Sequence, residues 1–155
     1  MQPTPAKDST TMRTAILGAS GLVGRTMLRL LERQPWLEQP PLLLTSARSA
    51  GQRLPFRDGD LECQDVATAA LDGLELALFS AGGGTSRRWA PEFAARGAWV
   101  VDNSSAWRRH DEVPLVVPEV NGHLVSRGPG GGIIANPNCS TIQIAVPCAV
   151  LHRLA

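Results

Sequence analysis

Short apolar strands alternating with helical patterns predict an α/β protein: a Rossmann-like, doubly wound, mostly parallel sheet with helices on both faces. Three observations carry that expectation. Continuous apolar runs such as Leu42-Leu43-Leu44 read as strands buried on both faces. Between the first two runs, Val23, Met27, Leu28, Leu30 and Leu31 recur at helical spacing. Glycine-rich turns follow two of the strands directly, at Gly18-Ala19-Ser20-Gly21 and at Gly82-Gly83-Gly84. With 155 residues, the chain is long enough to bury one ordinary core.

The elements follow in order. Residues 1–11 are polar, carry two prolines, and read as a disordered lead-in. Met12–Leu17 is the first strand, and the first helix runs from Leu22 towards Pro35, which cannot continue it. Leu42–Thr45 is the second strand, with short strands expected at Arg53–Phe56 and Leu61–Gln64. Leu74–Ser80 is a further strand, ended by the glycine triplet. A helix over Thr85–Arg96 follows, with Gly97 as its C-terminal cap. Ala98–Val101 leads into the polar turn Asp102-Asn103-Ser104-Ser105, and Val113–Val117 is a second apolar segment. A Gly/Pro loop at Gly128–Gly132, the strand Gly132–Ala135 and a final helix complete the chain. No Gly, Asn or polar loop closes that helix before Ala155, so the expectation is a truncation.

Composition narrows the function classes. A net charge of +1 leaves no broad basic surface, and tyrosine is absent, so nucleic acid is not an expected partner. No apolar run is long enough to span a bilayer, and the first residues lack the apolar core of a signal peptide. Cys63, Cys139 and Cys148 show neither disulfide nor zinc-ligand spacing. The expected setting is a reducing cytoplasm, with no metal and no membrane partner.

The glycine turn Gly18-Ala19-Ser20-Gly21-Leu22-Val23-Gly24 lies between a strand and a helix, where a dinucleotide diphosphate is expected. Gly18 permits the tight turn, Gly21 lets backbone approach the diphosphate, and Gly24 allows the helix to pack closely. The N–H groups of Ser20, Gly21, Leu22 and Val23 would face the phosphates. The second strand ends in Thr45-Ser46-Ala47-Arg48-Ser49 rather than in the carboxylate that pairs with the ribose of NAD. Arg48, with the hydroxyls of Ser46 and Ser49, suits a 2′-phosphate, which makes NADP the expected cofactor. Ser80, Gly82 and Gly83 add small residues against which a cofactor can lie.

Reactive chemistry centres on Ile133-Ile134-Ala135-Asn136-Pro137-Asn138-Cys139-Ser140. The thiolate is the nucleophile, and a helix N-terminus favours it, so Cys139 is the candidate nucleophile towards an aldehyde or acyl carbon. Cys63 and Cys148 read instead as small buried hydrophobes. Arg108 can clamp a phosphate or carboxylate, whereas Glu119 reads as a helix cap. His110, His123 and His152 are isolated and receive no role.

Taken together, GASGLVG at 18–24, TSARSAG at 45–51, FSAGGG at 79–84, VVDNSSAWR at 100–108, VPLVVPEVN at 113–121 and IIANPNCSTIQ at 133–143 resemble the aspartate-β-semialdehyde dehydrogenase family. The resemblance implies an NADP-binding domain over residues 12–138. The cysteine helix at 139–155 would then lead into a separate substrate and dimerisation domain, in a homodimer. It implies reversible conversion of aspartate 4-semialdehyde and phosphate into 4-aspartyl phosphate, within the biosynthesis of lysine, threonine and methionine. By that match Cys139 is the acyl-enzyme nucleophile, Asn138 shapes the pocket beside it, and Arg108 binds phosphate. The family also uses a glutamine, an arginine and a histidine from beyond the cysteine helix, so the 155 residues alone are expected to be inactive. Two other readings are N-acetyl-γ-glutamyl-phosphate reductase and a non-catalytic nucleotide-binding fragment. In the former, the cysteine follows Pro-Gly and precedes an aromatic, unlike Asn138-Cys139-Ser140 here.

Overall fold

A computed structural model describes residues 12–125 and 131–154. The expected lead-in over residues 1–11, and most of the Gly/Pro loop, lie outside the described residues.

The chain folds as β1 (Thr14–Leu17), α1 (Leu22–Leu31), β2 (Leu42–Thr45), β3 (Arg53–Phe56), β4 (Gly59–Asp65) and β5 (Leu76–Phe79). It continues with α2 (Gly83–Ala95), β6 (Trp99–Asp102), α3 (Pro118–Asn121), β7 (Gly132–Ala135) and α4 (Cys139–Leu154). One seven-stranded sheet has the order β3-β4-β2-β1-β5-β6-β7. Every neighbouring pair is parallel except the β3–β4 hairpin at the edge. This is the expected Rossmann-like architecture, with its order reversing between β1 and β5.

The period of two along each strand divides the core. Ala15, Leu17, Leu44, Ala77, Phe79 and Val100 pack beneath Ala90 and Phe93 of α2. Ile16, Leu43 and Cys63 pack on the opposite side with Leu28 and Leu31 of α1. The rings of Phe79 and Phe93 meet edge-to-face at 5.1 Å, which fixes α2 over the centre of the sheet.

Several boundaries differ from the expectation. The first helix ends at Leu31 rather than near Pro35. Instead, the N–H groups of Arg33 and Gln34 close turns on Leu30 and Leu31. α2 begins at Gly83, because Gly82 turns with φ +82° and the two following glycines enter the helix. At its far end the expected cap is present. Gly97 has φ +90°, its N–H donates to the Ala94 carbonyl (2.9 Å), and the Ala98 N–H donates to the Phe93 carbonyl (3.1 Å). Among the described residues, Val113–Val117 makes only one bridge, Leu115 to Ala135. Glu119 stands in the first turn of α3, as expected, but makes no side-chain capping hydrogen bond there; the Asn121 side chain accepts from the Val117 N–H (2.8 Å) and donates to the Leu115 carbonyl (2.9 Å). Among the described residues, no helix is long and apolar enough to cross a membrane.

Candidate functional site

Parallel strands deliver their carboxyl ends to one edge of the sheet, and each following loop is pinned to its neighbour. The Gly18 N–H donates to the Leu44 carbonyl (2.9 Å) and the Ser80 N–H to the Leu17 carbonyl (2.8 Å). Further along, the Asn103 N–H donates to the Phe79 carbonyl (2.9 Å) and the Asn136 N–H to the Asp102 carbonyl (2.8 Å). Two groups of candidate residues result, side by side on that edge.

The first group surrounds a cavity of about 730 Å³ over the ends of β4, β2, β1 and β5. Gly18, Ser20, Gly21, Ser46, Arg48, Ser49 and Ser80 line it, as the cofactor reading requires. Gly18 has φ +90°, and a Cβ there would lie 2.4 Å from the Ser80 carbonyl oxygen. A Cβ on Gly24 would lie 2.2 Å from the Gly18 oxygen, so this glycine brings α1 down onto the turn. α1 has neither a side-chain cap nor an acidic residue in its first turn, which leaves its leading N–H groups open to an anion. Arg48 makes no salt bridge or side-chain hydrogen bond among the described residues. A cradle of this shape, with open amides and an unpaired guanidinium, fits a phosphate-bearing nucleotide.

Leu22, Val23, Gly24, Gly82 and Gly83 do not line the cavity. Leu22 and Val23 point outward, Gly24 is buried under the turn, and the two later glycines form the cap and start of α2. Asp65, Val66 and Ala67 at the end of β4, and Gly84, Thr85, Arg88 and Trp89 on α2, line it without having been anticipated. The α2 residues share a spacing of four, a helix-face signal that becomes readable once Ala90 and Phe93 are known to face the core.

The second group stands at the ends of β6 and β7. Buried Asp102 accepts from the Ser104 N–H (3.1 Å) and hydroxyl (2.6 Å), which holds the polar turn. Arg108 donates from Nε to the Asn136 carbonyl (2.9 Å) and from Nη2 to the Asn103 carbonyl (3.0 Å). The side chain of Asn136 donates to Oδ1 of Asn103 (2.7 Å), so two loops and one guanidinium form a single unit. These bonds orient Arg108 and leave Nη1 without a partner among the described residues. The Trp107 indole N–H donates to buried Ser86 of α2 (2.9 Å), tying this loop to the neighbouring helix.

Cys139 is exposed and is the first residue of α4, three positions after Asn136. Asn138 caps the helix: its Oδ1 accepts from the Ser140 N–H (2.9 Å) and lies 3.9 Å from the cysteine sulfur, which donates weakly to it. Cys63 is buried, as expected, and burial pushes its thiol pKa up. Cys148 is exposed, which corrects the buried reading. No described residue of α4 is buried, and Ile144, Val150, Leu151 and Leu154 are exposed. Iodoacetamide at neutral pH is expected to modify Cys139 first, Cys148 more slowly, and Cys63 only after unfolding. Cys139 is exposed in the first turn of α4, where the helix N-terminus favours an anion, whereas Cys148 is exposed in the body of the helix. Time-resolved peptide mapping checks the order, and faster labelling of Cys148 than Cys139 would count against the site.

Comparisons with known proteins point the same way. A family model described as "Semialdehyde dehydrogenase, NAD binding domain" matches residues 13–127. Aspartate-semialdehyde dehydrogenase of Aquifex aeolicus is 50% identical over 144 residues, covering 92% of this chain and 42% of that protein. The crystal structure of aspartate semialdehyde dehydrogenase II of Vibrio cholerae complexed with ASA superposes with a TM-score of 0.86 at 40% identity. That match covers 94% of this chain and 43% of the other. The Candida albicans aspartate semialdehyde dehydrogenase with NADP superposes with a TM-score of 0.75 at 28% identity, covering 92% and 47%. The chain thus spans about two fifths of the length of the curated relative it matches.

Proposed function

The chain belongs to the semialdehyde dehydrogenase family, whose NAD-binding domain it carries, and on that premise we propose that it supplies the cofactor site and nucleophile of an aspartate-semialdehyde dehydrogenase. The observation that carries this reading is the exposed Cys139 at the head of α4, beside a loop that presents an oriented arginine. In the proposed reaction the Cys139 thiolate adds to the aldehyde carbon of aspartate 4-semialdehyde and forms a thiohemiacetal alkoxide. The bound nicotinamide ring supplies the hydride acceptor. Loss of hydride from the thiohemiacetal carbon leaves a thioester on Cys139. A phosphate oxygen then attacks the acyl carbon, the C–S bond breaks, and the thiolate is regenerated with 4-aspartyl phosphate as product. Biosynthesis of lysine, threonine and methionine runs the same steps in reverse.

The residues of this chain divide the work. Arg108, braced by the Asn103 and Asn136 carbonyls, offers its free N–H groups to the phosphate, and Asn138 shapes the pocket beside the sulfur. The turn at Gly18–Val23 takes the diphosphate, and Ser46, Arg48 and Ser49 take the 2′-phosphate of NADP. The relatives are more than twice as long as the region matched, which supports placing the acid/base and carboxylate-binding groups outside these 155 residues. On this reading the protein is cytoplasmic, the full-length enzyme is a homodimer, and the isolated chain does not turn over.

Initial rates with a protein of the relatives' full length test the proposal. Activity is expected with aspartate 4-semialdehyde, phosphate and NADP, and not with N-acetylglutamate 5-semialdehyde. Arg48→Glu should lower the NADP/NAD preference by about tenfold or more, the loss of one charge-assisted contact plus added repulsion. Preference for the acetylated substrate, or an unchanged cofactor ratio, would sink the corresponding part.

A further inference from the structure

The cofactor reading assigns groups to the phosphates and leaves the adenine ring without a partner. Most residues lining the cavity are small: Gly, Ser, Thr and Ala. Its one aromatic is Trp89, half-buried against the core on α2. The guanidinium of Arg88 lies over that indole, 4.9 Å from the ring centroid, and itself lines the cavity. The Arg88 side chain makes no salt bridge or hydrogen bond among the described residues. The lining carboxylate, Asp65, is turned onto its own loop, where Oδ1 accepts from the Ala67 N–H (3.1 Å).

A guanidinium is planar and weakly hydrated on its faces. Placed 4.9 Å above the Trp89 ring centroid, it can offer a face to a second flat π-system. We propose that Arg88 and Trp89 form the adenine wall of the cavity, stacking indole, guanidinium and base in one column. This inference rests on the nucleotide-binding reading of the cavity and adds a determinant that does not involve the 2′-phosphate. Arg48 on the β2 side sets the choice between NADP and NAD, whereas Arg88 on α2 strengthens both. Sequence alone gives no hint of the division, since Arg87 and Arg88 are adjacent and only one lines the cavity.

Adenosine 2′,5′-bisphosphate and 5′-AMP, titrated into the 155-residue chain and followed by NMR shifts, test the wall without a nicotinamide site. Wild-type protein should bind both, the bisphosphate more tightly. Arg88→Ala should weaken both by about fivefold, the loss of one guanidinium–π contact. Arg88→Lys should weaken both to a similar extent, because it keeps the charge and loses the plane. Weakening confined to the bisphosphate, or rescue by Arg88→Lys, would overturn the wall in favour of a phosphate contact. Unchanged binding in both variants would overturn it outright while leaving the nucleotide reading intact. Failure of the wild-type chain to bind either ligand would overturn both.

Discussion

Cys139→Ser, in a protein of the relatives' full length, is expected to lower phosphate-dependent NADPH formation by on the order of 10³-fold or more, with the melting temperature unchanged. Cys139 is exposed, so the smaller hydroxyl gives up little burial and stability has little reason to move. Activity does, because a serine hydroxyl is a far weaker nucleophile than a cysteine sulfur, and no base stands within the described site to activate it. Cys148→Ser is the matched control. It changes an exposed thiol on the same helix and should leave turnover as it was. Steady-state rates and thermal melts on both variants check the pair. A Cys139→Ser enzyme retaining more than a tenth of wild-type rate would remove the nucleophile from the account.

Gly24→Ala is expected to destabilise the fold by about 3 kcal/mol, the upper end of the cost of overpacking a filled core. The added methyl would lie 2.2 Å from the Gly18 carbonyl oxygen and 2.8 Å from the Ala19 Cα. Both are backbone atoms, so no side chain can swing aside. α1 would have to lift from β1, carrying Leu28 and Leu31 away from the core they help close. Gly21→Ala offers a graded comparison. Its nearest atom would be the Gly18 oxygen at 3.3 Å, and its φ of −76° suits any residue. That variant should cost under about 1 kcal/mol while still crowding a diphosphate. Urea denaturation of the two proteins separates them, and equal midpoints would contradict the packing geometry.

Much of this architecture was legible because buried parallel strands need unbroken apolar runs, and Leu42–Leu44 and Leu76–Phe79 supply them. Element ends were less legible. Gly83 and Gly84 resemble a loop in isolation, yet enter α2 because Gly82 alone makes the turn. Around α3 the sequence shows the apolar segment Val113–Val117 and a helix-start carboxylate, Glu119. The helix geometry depends on Asn121 reaching back to Val117 and Leu115, a local bond that periodicity does not report.

The site divides in the same way. Motifs confined to one strand end, such as the Gly18–Gly21 turn and the Asn136–Cys139 turn, can be read directly. The cavity wall contributed by Arg88 and Trp89 cannot, since it depends on which face of α2 meets the sheet. The Asn103–Asn136 bond is similar, joining side chains 33 positions apart whose strands are neighbours only in the folded sheet. Cys148 shows the opposite error. An apolar helix pattern suggests burial, but no described residue of α4 is buried.

The most direct test is chemical trapping of the acyl-enzyme. Full-length protein is mixed with aspartate 4-semialdehyde and NADP in the absence of phosphate, quenched in acid, and digested for mass spectrometry. An aspartyl thioester on the peptide containing Cys139, lost when phosphate is added before the quench, is the predicted result. NADPH formation without any adduct on Cys139, or with the acyl group on another cysteine, would contradict the account.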